Sequence, residues 1–274
     1  MSITIKRILP CLMSIIALLG CEDTVHVDVP EATPRLVIDA SINLPKDGLP
    51  EAQQIKLTTS APYYNDQVPP ATGASVEITD SEGIVYTFLE DGNSGIYKNT
   101  QLVPKFGKSY TLDIVYQNEH YTATETMKSV TEIEDILQSK GGGFSGNDYD
   151  IKAYYTDPRD EDNFYLFEFI PNIQLIPNLQ VYEDEYTQGN RIFAYYTDED
   201  LAQGNQITIR VYGVSERFYN FMNILLEQSS SQGNPFQTQP ATVKGNCVNL
   251  TDKNNFPFGY FRLSEMHEVI YTLE

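Results

Sequence analysis

The sequence predicts a mainly β protein: an N-terminal immunoglobulin- or fibronectin-like sandwich, then a second β-rich domain carrying one packed helix. Three observations lead there. Short segments with period-two alternation of apolar and polar residues recur at near-regular spacing from Arg35 to Thr124, with turn-rich breaks between them. Aromatics are plentiful and of strand-forming types, with 19 Tyr, 13 Phe and no Trp. A convincing helical pattern occurs once, after residue 214.

The first strand follows from Leu36, Ile38, Ala40 and Ile42 alternating with Val37, Asp39 and Ser41; Ile55 and Leu57 belong to a second. Ser60 to Asn65 and Pro69 to Gly73 are rich in turn residues. Val76 and Ile78 start another strand, and Asp80-Ser81-Glu82-Gly83 turns it into Val85-Tyr86-Thr87-Phe88. A second turn at Gly92 to Gly95 precedes Ile96-Tyr97. Tyr110, Leu112, Ile114 and Tyr116 alternate, and Gln117-Asn118-Glu119 closes a hairpin onto Tyr121 to Thr124. About seven strands at this spacing suit a sandwich, without the cysteine and tryptophan hallmarks of antibody domains. The division expected is a signal over 1–20, a tether over 21–33, the sandwich over 34–127, a linker over 128–150 and the second domain over 151–274. The Gly141-Gly142-Gly143-Phe144-Ser145-Gly146 run reads as flexible by composition.

In the second part, Ile151 to Tyr155, Asn163 to Ile170, Arg191 to Tyr196 and Gln206 to Val214 read as strands. The second is near-continuously apolar, as a strand buried on both faces should be. Phe218, Phe221, Met222, Leu225 and Leu226 fall on one helical face behind Ser215, a good N-cap, giving a helix over roughly 215–228. A long irregular stretch then leads to a strand over Phe258 to Leu263 and a final one over Val269 to Thr272.

The N-terminus is the most specific stretch. Lys6 and Arg7 precede an apolar run from Ile8 to Leu19, of signal-peptide length and too short to span a bilayer. It ends in Leu18-Leu19-Gly20-Cys21, the layout of a lipobox. Diacylglycerol on the Cys21 thiol, with cleavage before it, is the expected outcome, and two or three acyl chains give lasting attachment at ~0.8 kcal/mol per buried methylene. Glu22 and Asp23 directly behind the cysteine resemble an export signal to the cell surface. The expected location is therefore the outer membrane, lipid-anchored and facing the exterior.

Loss of residues 1–20 takes two cations with it, moving the formal charge from −20 to −22. Such a chain repels phosphate backbones, which excludes nucleic acid as a partner, and it repels anionic leaflets, which leaves the lipid as the membrane contact. Of three cysteines, Cys11 leaves with the signal and Cys21 carries lipid, so Cys247 is alone and reads as a buried, inert thiol.

Pro34-Arg35-Leu36-Val37-Ile38, Ser60-Ala61-Pro62-Tyr63, Gly73-Ala74-Ser75-Val76-Glu77-Ile78, Asp162-Asn163-Phe164-Tyr165, Ser215-Glu216-Arg217-Phe218-Tyr219 through Asn234-Pro235-Phe236, and Gly259-Tyr260-Phe261 stand in this order behind the lipobox. Together they resemble a Bacteroidota outer-membrane lipoprotein family of unknown function, domain of unknown function 4249. The resemblance spans nearly all of the mature chain. It implies a place beside TonB-dependent transporters of the SusC type, and it brings no catalytic residues.

Chemistry is sparse in the sequence. His26, His120 and His267 are the three histidines, with no His-Glu-x-x-His or Cys-x-x-Cys spacing for zinc. Cys247 with His267 has no local support as a nucleophile pair, and Gly143-Phe144-Ser145-Gly146 lacks the strand and helix of a nucleophile elbow. Asp157, Asp160 and Asp162 form the densest oxygen cluster, a weak calcium loop without EF-hand spacing, and no other cofactor is expected. The Tyr63-Tyr64, Tyr154-Tyr155 and Tyr195-Tyr196 pairs each send one ring to either strand face, so one ring of each pair is core and the other is free to meet a sugar or peptide. The function expected is a non-catalytic accessory or binding module for a TonB-dependent nutrient transporter, with its small-molecule, glycan or peptide ligand unspecified. The alternatives are an envelope hydrolase or a structural envelope lipoprotein.

Overall fold

The computed structural model describes residues 33–48, 52–62, 67–142, 146, 148–159, 161–184, 189–230 and 242–274. Cys21, Glu22, Asp23, Tyr63, Tyr64 and Asp160, with the 143–145 part of the glycine run, lie outside them. Fifteen strands and one helix occur among the described residues, so the protein is mainly β with one helix, as the alternation pattern predicts.

The first sandwich uses β1 (Leu36–Pro45), β2 (Gln53–Thr59), β3 (Ser75–Asp80), β4 (Val85–Glu90), β5 (Ile96–Asn99), β6 (Ser109–Tyr116) and β7 (Glu119–Thr126). One layer runs β1-β2-β5 and the other β4-β3-β6-β7, a three-plus-four arrangement of the immunoglobulin and fibronectin class. β4 turns the corner: Val85 to Phe88 pair with β3, whereas Leu89 and Glu90 pair with β5. The alternating residues of the sequence meet in one core, with Ile38, Ile42 and Leu57 facing Ile78, Leu112 and Ile114. Gln117 and Asn118 adopt φ of 49° and 64°, the left-handed pair that a two-residue hairpin needs to match strand twist.

The second sandwich repeats the plan. β8 (Asp135–Gly142), β9 (Asp148–Thr156) and β12 (Arg191–Asp198) make a three-stranded layer in the order β12-β9-β8. The facing layer runs β11 (Asn178–Glu183), β10 (Phe164–Pro171), β13 (Gln206–Val214) and β15 (Phe258–Thr272). Tyr155, Phe167, Phe169, Tyr196 and Ile209 fill the space between, with Phe169 and Tyr196 stacked at 5.1 Å. β10, expected to be buried on both faces, is so at Leu166 alone on its outer side, where that residue lies under the helix α1 (Glu216–Ser230) with Tyr212, Phe218, Met222 and Tyr260; the outward Phe164, Glu168 and Ile170 are half-buried. Ser215 caps α1 by accepting from the Phe218 N–H at 3.3 Å. Leu225, expected on the packed face, is 41 % exposed.

The chain does not divide as its order suggests. β15 is one strand of 15 residues rather than two short ones. Its first part pairs in parallel with β1, from Val37–Phe258 to Pro45–Met266, and its last part pairs antiparallel with β13. The short β14 (Val248–Asn249), before it, adds to β7. C-terminal residues thus complete the first sandwich, and contacts from Pro34 to Glu274 gather into one unit. The 128–150 segment, expected to be a linker, carries β8 and the start of β9. Its connection is pinned: Glu265 accepts from the Val130 N–H at 2.8 Å and faces Lys46 at 3.6 Å. β8 and β9 pair as far as Gly142 and Asp148.

Candidate functional site

Strand alternation sends Lys152 and Tyr154 of β9 and Arg191, Phe193 and Tyr195 of β12 to the outer face of the three-stranded layer, while Tyr155 and Tyr196 go inward at 0 % and 3 % exposure. Register brings these outward residues together, since Phe193 pairs with Tyr154 and Tyr195 with Lys152, and Leu137 of β8 flanks Lys152 on the other side. Tyr154 and Phe193 lie 5.2 Å apart at 53°. The Lys152 ammonium sits 5.0 Å from the Phe193 centroid and the Arg191 guanidinium 4.3 Å from that of Tyr154. Arg191 is held there by Glu134 at 3.3 Å and Asp135 at 3.2 Å. Tyr195 donates its hydroxyl to Asp150, and that hydrogen bond raises the phenol pKa first, with burial second. Phe193 is 41 % exposed and Tyr195 36 %, whereas Lys152 and Tyr154 are half-buried.

The two tyrosine pairs that the structure describes therefore behave as period two requires. The sequence pattern missed Phe193 and Lys152; both stand two residues from a marked tyrosine, on the same face, and that offset was the available signal. Such a surface stacks on flat apolar faces and offers acceptors and donors at its rim.

A second concavity lies where β15 passes between the sandwiches: a cleft of about 590 Å³ bordered by Asn43, Gln53, Arg210, Met266 and Glu268. Gln53 closes the β1 edge with its amide, donating to the Asn43 carbonyl at 2.8 Å and accepting from its N–H at 3.1 Å. Behind it, Arg262 is 6 % exposed, donates to Asn43 Oδ1 at 2.9 Å and lies over Tyr212 at 4.5 Å. Burial pulls the Arg262 guanidinium below the ordinary arginine value, against the opposing pull of Tyr212, Glu168 and Asp39. Tyr212 in turn donates to Glu168 at 2.9 Å, and Arg210 bonds Glu268 at 2.6 Å.

The remaining sequence candidates do not converge. Asp157 is 1 % exposed and turned inward, accepting from the Tyr165 hydroxyl at 2.7 Å, whereas Asp162 is exposed. Of the expected calcium loop, Asp160 lies outside the described residues; among the described residues no group of three or more Asp, Glu, His or Cys side chains is placed to hold a metal ion. The Asp-Pro turn that begins the loop folds its first carboxylate, Asp157, under the sheet. His120 pairs with Asp113 at 2.7 Å on the surface, and His267 accepts from the Ile133 N–H at 3.0 Å. Cys247 is 6 % exposed, and burial pushes its thiol up to about 12.

Among solved structures, the chain is similar to a two-domain fibronectin type III segment of chicken tenascin, at 14 % identity and a TM-score of 0.22, covering 66 % of this chain and 91 % of that one. It is also similar to a DUF4785 family protein from Legionella pneumophila, at 11 % identity and a TM-score of 0.23, covering 65 % of this chain and 52 % of that one. No curated protein matches it. The model of one family, described as a domain of unknown function (DUF4249), matches residues 22–268, and the chain belongs to that family.

Proposed function

We propose that this chain is a lipid-anchored outer-membrane protein of the Bacteroidota, displayed on the cell exterior. In this reading it is a non-catalytic binding module beside a TonB-dependent transporter, and saccharides bind the outer face of β9 and β12. The observation that carries the binding role is the grouping of Tyr154, Phe193 and Tyr195 with Lys152 on one open sheet face. Sugar rings present apolar C–H faces that stack on aromatic rings, and their hydroxyls accept hydrogen bonds from ammonium groups and donate them to carboxylates at the rim. A formal charge of −20 opposes polyanions, so the class favoured is neutral saccharide. The anchor rests on Gly20-Cys21 after an apolar run, with Glu22-Asp23 supporting export to the surface.

Affinity electrophoresis of the unlipidated Cys21→Ser chain through gels of neutral polysaccharides tests the binding role. Retardation by at least one polysaccharide, lost in Phe193→Ala and Tyr195→Ala, is the expected result; mobility unaffected by every polysaccharide refutes it. Labelling with radioactive palmitate that disappears in Cys21→Ser tests the anchor. Protease shaving of intact cells tests display, and recovery of a TonB-dependent transporter with the tagged protein tests the company it keeps.

A further inference from the structure

Two carboxyls are buried together at one end of the second sandwich. Asp157, just after β9, is 1 % exposed, and Asp184, just after β11, is 2 % exposed. Each is tied to the other's chain segment. The Asp157 N–H donates to the Asn190 carbonyl at 3.1 Å, and Asp184 Oδ2 accepts from the Asn163 N–H at 2.9 Å. The carboxyl groups interact directly with one another. Around them stand Tyr155 from β9, Tyr165 from β10 and Tyr182 from β11. Arg159 packs over Gly189. Tyr165 donates to Asp157 Oδ1 at 2.7 Å. Two buried polar atoms here, Asp157 Oδ2 and the Tyr155 hydroxyl, have no hydrogen-bond partner among the described residues.

We propose that Asp157 and Asp184 are a proton-binding pair, sharing one proton that clasps the end of β9 and the start of β10 to the end of β11 and the start of β12. Two ionised carboxylates in contact inside a protein repel each other in a poorly screened medium, whereas one proton turns the contact into a charge-assisted hydrogen bond. It also gives the unpartnered Asp157 Oδ2 a role. A calcium ion would need six to eight oxygens, more than two carboxylates and the neighbouring phenols supply. Consistent with a shared proton, burial first, and then the Asp184 charge and contact, raise the Asp157 pKa, against the pull of hydrogen bonds from Tyr165 and the Gly189 backbone.

The sign of the linkage follows. Between the ordinary aspartate value and the raised one, the native chain holds more protons than the unfolded chain, so stability declines as pH rises through that window. The contribution is complete at acid pH and absent above the raised value.

Thermal unfolding of the full Cys21→Ser chain, with and without Asp157→Asn, tests this from pH 4 to pH 8. The carboxamide still accepts from Tyr165 and supplies an N–H to Asp184 in place of the proton. The two melting temperatures should agree near pH 4, and Asp157→Asn should lie higher by about 4 °C at pH 8. A difference that stays constant with pH overturns the proposal. Should the variant fail to fold, carboxyl ¹³C titration of the parent chain decides: one of the two side chains keeps its proton above the usual aspartate range, and ordinary midpoints for both overturn the pair.

Discussion

Replacing Arg262 separates what its charge contributes from what its volume contributes. The side chain lies over Tyr212 at 4.5 Å and Phe218 at 5.5 Å, and it donates to Asn43 Oδ1 at 2.9 Å. Among the described residues, no carboxylate lies within ion-pair distance of it. Arg262→Ala removes a desolvated cation–π contact, of about 2 kcal/mol, and strips packing from two rings. It also takes the donor from a half-buried acceptor, Asn43 Oδ1, at about 1 kcal/mol. A total loss of about 4 kcal/mol is expected, a large share of the ordinary stability of a domain. Arg262→Met keeps an unbranched stem against both rings and abolishes a buried charge whose desolvation opposed folding. Its loss should be about 1 kcal/mol, mostly from the hydrogen bond that the half-buried Asn43 oxygen gives up. Urea midpoints of the unlipidated chain, followed by far-ultraviolet circular dichroism and tyrosine fluorescence, read both. Equal losses in the two variants would show that the charge, not the filled volume, holds the seam, and would refute this reasoning.

Gly259 has φ +90°, and a Cβ there would run into the Ile38 carbonyl of the paired strand, so Gly259→Ala should lose at least ~2 kcal/mol in the same urea assay. Gly213→Ala should behave alike, since its Cβ would meet the Ser129 carbonyl on the connection between sandwiches. Ser215→Ala removes the α1 cap, and with it a hydroxyl that donates to Glu125 at 3.0 Å; a loss of about 1 kcal/mol is expected. With its thiol pushed up to about 12 by burial, Cys247 stays protonated at pH 8 and should resist iodoacetamide until denaturant is added, as mass spectrometry of the Cys21→Ser chain would register. Rapid native alkylation would contradict that burial.

The sequence by itself determined the local events. Alternation at Leu36 to Ile42 and Tyr110 to Tyr116 set the strands, because a half-buried sheet face selects every second residue. Gln117-Asn118 marked a hairpin, Ser215 a helix start, and the Tyr154-Tyr155 and Tyr195-Tyr196 pairs one core ring and one outer ring apiece. Tertiary structure decided which segments pair over long separations. Six consecutive residues of β15, Tyr260 to Glu265, are buried, since both faces are covered where the strand crosses between sandwiches; such a run carries no period to read. For the same reason the sequence could not tell that residues near 260 complete a sheet begun at Leu36, or that Asp184 in an acidic run turns inward to meet Asp157. Periodicity records only whether a residue faces inward, whereas strand pairing and charge contact depend on what arrives from elsewhere in the chain.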